Sequence, residues 1–214
     1  MSDLSFSVVE SYPLPYALSP SLGVKIRVAE TTGKRVHTIA LRAQVQIEPQ
    51  KRRYTPGESE TLSDLFGTVD RYGDTLKPML WTHISTMVLG FTGEKEFEMQ
   101  LPCSYDFEVA GNKYLAALKD GEIPIVFLFS GTMYTEGERG VAAEMLSWSC
   151  EAKHRLPLAV YRATMDAHFP NSAWIRLDRD VFAEIDRFRM SQGLPNFDQA
   201  ITRLCDIAAE KSSR

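Results

Sequence analysis

Four histidines, three cysteines and one run of basic residues are the side chains of this sequence best equipped for chemistry. His37, His83, His154 and His168 stand apart from one another. No two share a helix face at i, i+4, and none has a cysteine at finger spacing, so the sequence shows no metal site. Asp166 and His168 come nearest to an acid–histidine pair, within MDAHFPNSAWIRLDRDVF (165–182). Two residues apart, they share a face in a strand and diverge in a helix. The surrounding stretch, Leu156–Pro170, reads as a short helix, and a histidine at a helix C-terminus is favoured by the dipole without any catalytic task.

Nucleophiles are no better supported. Ser130-Gly131-Thr132, read as the end of a buried strand, lacks the glycine two residues before the serine that a nucleophile elbow needs. Cys103 and Cys150 have no sequence neighbour that would lower a thiol pKa, so they read as small buried hydrophobes. No glycine-rich loop follows a strand and opens a helix to cradle a phosphate. The expectation is therefore a non-enzymatic protein with no catalytic residues, no cofactor and no metal. Lys51-Arg52-Arg53 is the one basic cluster, in the loop after the longest alternating strand. Clustered charge of this kind steers acidic or phosphorylated partners, so these three residues are candidate partner contacts.

The elements that would position these groups follow from composition and pattern. With 214 residues, 44% hydrophobic and 24% charged, the chain matches an ordinary soluble globular protein of one domain or one domain plus an appendage. A formal charge of −4 gives no bulk attraction for nucleic acid or an anionic membrane. No apolar run is long enough for a membrane span, and the N-terminus does not read as a secretory signal. Three dispersed cysteines give no disulfide framework, which points to a reducing cytoplasm.

HTIALRAQVQI alternates strictly, placing His37, Ile39, Leu41, Ala43, Val45 and Ile47 on one face of a strand. Shorter strands are expected at Leu4–Val9, Gly23–Ala29, Met79–Val88, Lys95–Leu101, Tyr105–Val109, Ile123–Tyr134 and Ala143–Ala152, joined by turns such as TTGK and KDGE. Hairpin-length links without strand–helix alternation predict an antiparallel β-sandwich over residues 1–157. Two short helices decorate it, Ser59–Phe66 and one capped by Asn112 and stopped by Gly121. Residues 158–214 form a helical C-terminus, so the fold class is mainly β with an α+β character. Its helices are expected at Asp180–Ser191 and Phe197–Ala209, with Asp178 and Asn196 as caps.

The segment WIRLDRDVFAEIDRFRMSQGLPNFDQAITRLCDIA resembles a ribbon-helix-helix unit. That likeness implies a homodimer through a short strand at Ala173–Leu177, with Ile175 and Leu177 inward and Trp174, Arg176 and Asp178 outward. It also implies duplex DNA as a partner, with Asn196 at a phosphate. Seven basic residues face seven acidic ones over 174–214, a neutral balance where DNA readers are usually basic. Dimerisation or packing is therefore favoured over DNA reading, with Trp174 and Arg176 as partner contacts.

Over nearly its whole length the chain resembles an uncharacterised bacterial domain-of-unknown-function family common in actinomycetes. The likeness rests on RAQVQIEPQKRRY, CSYDFEVAGNKYLAALKDGEIPIVFLFSGTMY and MDAHFPNSAWIRLDRDVF. It implies association with nickel–iron hydrogenases and their maturation factors, hence an accessory or assembly role through protein–protein contacts. The alternative is a DNA-binding regulator acting through a dimeric tail.

Overall fold

Period-two alternation of buried and exposed side chains organises the first three-quarters of the chain. The computed structural model describes residues 3–103, 109–137, 140–172 and 175–212. Its strands are β1 (Leu4–Pro13), β2 (Ser21–Glu30), β3 (Val36–Ile47), β4 (Met79–Phe91), β5 (Glu94–Pro102), β6 (Glu122–Gly137), β7 (Gly140–Met145) and β8 (Glu151–Pro157). They build two antiparallel sheets. One has the order β1-β2-β5; the other runs β4-β3-β6, and the far edge of the long β6 carries β7 and β8 in succession.

β3 occupies the centre of the larger sheet and buries Val36, Ile39, Leu41, Ala43, Val45 and Ile47. His37, expected on that inward face, is exposed instead. The register slips between Val36 and Thr38 against β6, so Val36 takes the inward place. The inward residues of both sheets join one core, in which Phe6 of β1 stacks on Phe129 of β6 with ring centroids 4.2 Å apart. Burying each such large side chain contributes about 1.5–3 kcal/mol.

The segment expected as one strand at Ala143–Ala152 is two, β7 and β8, separated by a turn in which Cys150 N–H donates to Ser147 O. Ser130-Gly131-Thr132 lies in the middle of β6 rather than at its end. Most of the strand expected at Tyr105–Val109 lies outside the described residues, and Val109 begins a helix.

The helices are α1 (Pro56–Phe66), α2 (Tyr72–Thr75), α3 (Val109–Ala117), α4 (Leu158–His168), α5 (Arg179–Ser191) and α6 (Phe197–Ser212). A 3-10 turn at Pro49–Lys51 follows β3, and another at Val69–Arg71 follows α1. Asn112 stands inside α3 rather than at its cap. Leu62 and Phe66 of α1 meet Tyr114 and Leu115 of α3 in the same core.

The chain divides into Met1–Asn171 and Ser172–Arg214, not at residue 157. The reason is α4, which packs in the first unit, with Tyr161 edge-to-face on Trp81 of β4. At its end, the His168 ring sits between two carbonyls, with Nδ1 3.2 Å from Thr164 O and Nε2 2.9 Å from Ala17 O of the β1–β2 loop. The second unit contains α5 and α6. Of the short strand expected at Ala173–Leu177, the described residues Ile175–Leu177 form no strand, and Ala173 and Trp174 lie outside the described residues.

Gly131 is the most closely approached of the described glycines. Its φ is +145°, and a Cβ there would stand 2.0 Å from the backbone oxygen of Ala40. Gly131→Ala should therefore cost at least about 2 kcal/mol, read as a lowered denaturation midpoint at unchanged slope.

Candidate functional site

The basic run after β3 splits into three different environments. Arg52 turns inward: its side chain is 8% exposed and its Nη2 donates to Glu58 Oε1 at 2.7 Å, where the Glu58 side chain is 1% exposed. The same guanidinium donates to Glu122 O and Asp120 O, both at 2.7 Å. Arg52 is thus removed from the candidate partner contacts, because both Nη groups are held by interior acceptors, while its Nε is buried without a partner. Lys51 and Arg53 remain at the surface.

Glu58 explains why Arg52 goes in. Thr55 and Glu58 form a reciprocal capping box at the start of α1, with Thr55 N–H donating to Glu58 Oε2 at 2.9 Å and Glu58 N–H to Thr55 Oγ1 at 3.3 Å. The other carboxylate oxygen accepts from Lys119 N–H at 2.9 Å as well as from Arg52. Burial alone would raise this carboxyl. Hydrogen bonds from Lys119, Thr55 and Arg52 outweigh it and hold the Glu58 pKa below the usual value. Gly121 permits the approach: its φ is +76°, and a Cβ would lie 3.0 Å from Arg52 Nη1. The spacing Thr55-x-x-Glu58 was the readable signal of this cap; placing the helix start at Ser59 overlooks it.

Lys51 lines a depression of about 280 Å³ with Glu48, Pro124, Ile125, Lys153, His154 and Arg155. Two segments a hundred residues apart meet here, the 3-10 turn and β8. Lys51 contacts Glu48 at 2.6 Å, and Lys153 contacts Glu151 at 2.6 Å. Arg155 approaches Glu122 only to 4.0 Å, beyond hydrogen-bond range. His154 is half-buried, and its Nε2 lies 2.9 Å from Ser11 Oγ of β1, a polar tie between the two sheets. Burial lowers the His154 pKa, with the charge of Glu122 opposing it. Lys153 and Arg155 were not singled out from the sequence, and His154 was named there only among the dispersed histidines.

The second unit offers a different surface. An apolar groove of about 680 Å³ is lined by Ser172, Ile175, Leu177, Arg179, Phe182, Ile185, Phe197 and Ile201. Ala200 is the single buried residue among the unit's described residues, while Ile175 is 70% and Phe182 47% exposed. Arg189 holds the turn between the helices by donating to Asp186 Oδ1 at 2.9 Å and Leu194 O at 3.3 Å, and its guanidinium lies over the Phe197 ring. Asn196 Oδ1 accepts from Gln199 N–H at 2.9 Å and so caps α6. Asp178 stands at the cap position of α5, but its side chain makes no capping bond. Arg176 is exposed; Trp174 falls outside the described residues.

The thiols are placed as hydrophobes. Cys103 is buried, and burial pushes its pKa up to about 12; burial likewise raises Cys150. Cys205 is exposed on α6. Among the described residues no group of three or more His, Cys, Asp or Glu side chains is placed to hold a metal ion. No helix of these residues is long and apolar enough to cross a membrane.

The chain belongs to the family described as "Family of unknown function (DUF6084)", whose model matches residues 1–213. No curated protein matches it. Among solved structures it is similar to a CARDB domain from Pyrococcus furiosus in complex with di-metal ions, at 12% identity, covering 73% of this chain and 92% of that one, with a TM-score of 0.28. The putative ApaA protein from Bordetella pertussis is similar at 12% identity, covering 72% and 93%, with a TM-score of 0.27. β-Glucosidase 3B from Thermotoga neapolitana, in complex with α-D-glucose, gives 12%, 72%, 17% and 0.26 for the same quantities. Likenesses this remote say nothing about activity.

Two outcomes follow for stability. Removing the charge of Glu58 by Glu58→Gln should cost about 3–5 kcal/mol, because Arg52 is left buried without its partner. In the parent protein, the contribution of Glu58 is complete above about pH 4.5 and is lost as pH falls through its lower folded-state value. His154 acts earlier. Its folded pKa lies below the unfolded value of about 6.5, so the unfolded chain binds the proton first and stability declines as pH falls below that value. Urea titrations across this range should show the first step vanish in His154→Gln and the second in Glu58→Gln.

Proposed function

We propose that this family member is a non-catalytic accessory or assembly protein that works through protein–protein contacts in the cytoplasm. In this reading the two sheets form a β-sandwich, and the C-terminal helix pair is the docking element. The observation that carries it is the apolar groove that α5 and α6 form within the second unit. A 43-residue unit with one buried described residue falls short of the core that a free-standing domain of that size needs. Its apolar residues are therefore best accounted for as surface that a partner covers.

Two occupants fit that groove. The first is a second copy of the chain, paired through Ala173–Leu177. Centred on Arg176, an antiparallel pairing sets Ile175 opposite Leu177 on the groove side and brings Arg176 diagonal to the partner's Asp178. The second is a client protein, for which the family resemblance suggests hydrogenase subunits or maturation factors.

Sedimentation of the full chain and pull-down from native cytosol test this. Phe182→Ser/Ile201→Ser should reduce dimer mass or abolish capture of hydrogenase components while leaving the first unit folded. An unchanged monomer that captures only unrelated abundant proteins contradicts the proposal. Salt-sensitive binding to duplex DNA that is lost in Arg176→Ala would establish the regulator alternative instead.

A further inference from the structure

We propose that the depression between the 3-10 turn and β8 is a docking site for an extended acidic segment of a partner protein, engaged by Lys51, Lys153 and Arg155. Three cations and one carboxylate, Glu48, line it, in a chain whose overall charge is −4. The lining residues are thus cationic in balance, while Glu151 and Glu122 flank them beside Lys153 and Arg155. Such a patch steers an oppositely charged partner and sets its register.

Donor accounting points the same way. Arg155 makes no hydrogen bond through its guanidinium among the described residues, and its nearest carboxylate, that of Glu122, stays 4.0 Å away. A guanidinium has five N–H donors in a planar fork suited to a carboxylate, and here that fork is open. Lys51 and Lys153 each touch one carboxylate, so each ammonium keeps donors for another acceptor. All three side chains are accessible, at 42%, 61% and 60% exposure. Arg52 could not serve here, since the interior holds it.

Spacing identifies the occupant. Lys153 and Arg155 are alternate residues of one strand, so their Cα atoms lie roughly 7 Å apart along the same face. Alternate residues of an extended peptide repeat at that distance. Carboxylates at positions i and i+2 of such a segment match the two side chains, with Lys51 reaching from the opposite rim. Pro124, Ile125 and His154, the last held by Ser11, complete the lining. The site lies wholly in the first unit and stands independently of the role given to the C-terminal helices.

Fluorescence anisotropy with labelled peptides tests the inference on the full chain. One peptide alternates Glu with Thr, and its counterpart alternates Gln with Thr. The Glu peptide should bind at low salt, weaken as salt rises, and bind about tenfold or more weakly to Lys153→Glu/Arg155→Glu, about 1.4 kcal/mol per tenfold. Lys77→Glu, an exposed reversal elsewhere on the first unit, should bind as the parent does. Circular dichroism confirms that each variant is folded. Equal binding of the Glu and Gln peptides overturns the proposal, as does equal loss in the Lys77 variant. Full displacement of the peptide by inorganic phosphate at modest concentration would also overturn it, by showing a site for free anions. No binding at all would leave the three cations as charges that discourage edge pairing of β8, and the docking role would fall.

Discussion

A buried carboxylate with every oxygen engaged is the constraint around which the first unit is arranged. Glu58 closes the N-terminus of α1, accepts the backbone N–H of Lys119 and pairs with Arg52. Arg52 in turn spans to the carbonyls of Asp120 and Glu122, at the entry to β6. One ion pair thus connects the exit from β3, the first helix and the entry to the longest strand. Isolated, either charge would be costly to bury; together, with the Glu58 oxygens and both Arg52 Nη groups bonded and only Arg52 Nε left without a partner, they fix a geometry that a purely apolar contact would leave freer. The consequence reaches the surface. With Arg52 drawn inward, the preceding turn is anchored and Lys51 is left on the rim beside β8.

Much of the fold was legible because period-two patterning survives in single sequences. β3 and the inner run of β6 could be read directly, and so could α5 and α6 from their apolar spacing. Errors fell where one residue changes the outcome. His37 looked inward by strict alternation, but a register slip gave Val36 that place. Ala143–Ala152 looked continuous, because the turn at Ser147–Cys150 carries neither glycine nor proline. The end of the first unit was set too early, because α4 is held by contacts such as Tyr161 on Trp81, between residues far apart in the chain.

The site was less legible than the fold, for the same physical reason. Lys51, Arg52 and Arg53 form a uniform run in sequence, and only the long-range partner Glu58 with the carbonyls near residue 121 separates the buried one from the others. The depression joins two segments that no local pattern connects. Sequence spacing favoured neither a metal centre nor a nucleophile, and what stands out in the structure is two surfaces of opposite character. One is cationic and built on a rigid sheet edge; the other is apolar and carried by a small helical unit. In the proposed reading both serve recognition of other molecules, the first through charge and register, the second through buried area.

The claim on which this account depends is that Arg52 and Glu58 act as one unit. A double-mutant cycle with Arg52→Met, Glu58→Leu and the combined variant, followed by chemical denaturation, measures that coupling directly. Each single change should destabilise severely by stranding a buried charge, and the double variant should recover a large part of the loss, giving a coupling energy of about 2 kcal/mol or more. Losses that simply add would contradict it, and would mean that the two side chains stabilise the fold independently.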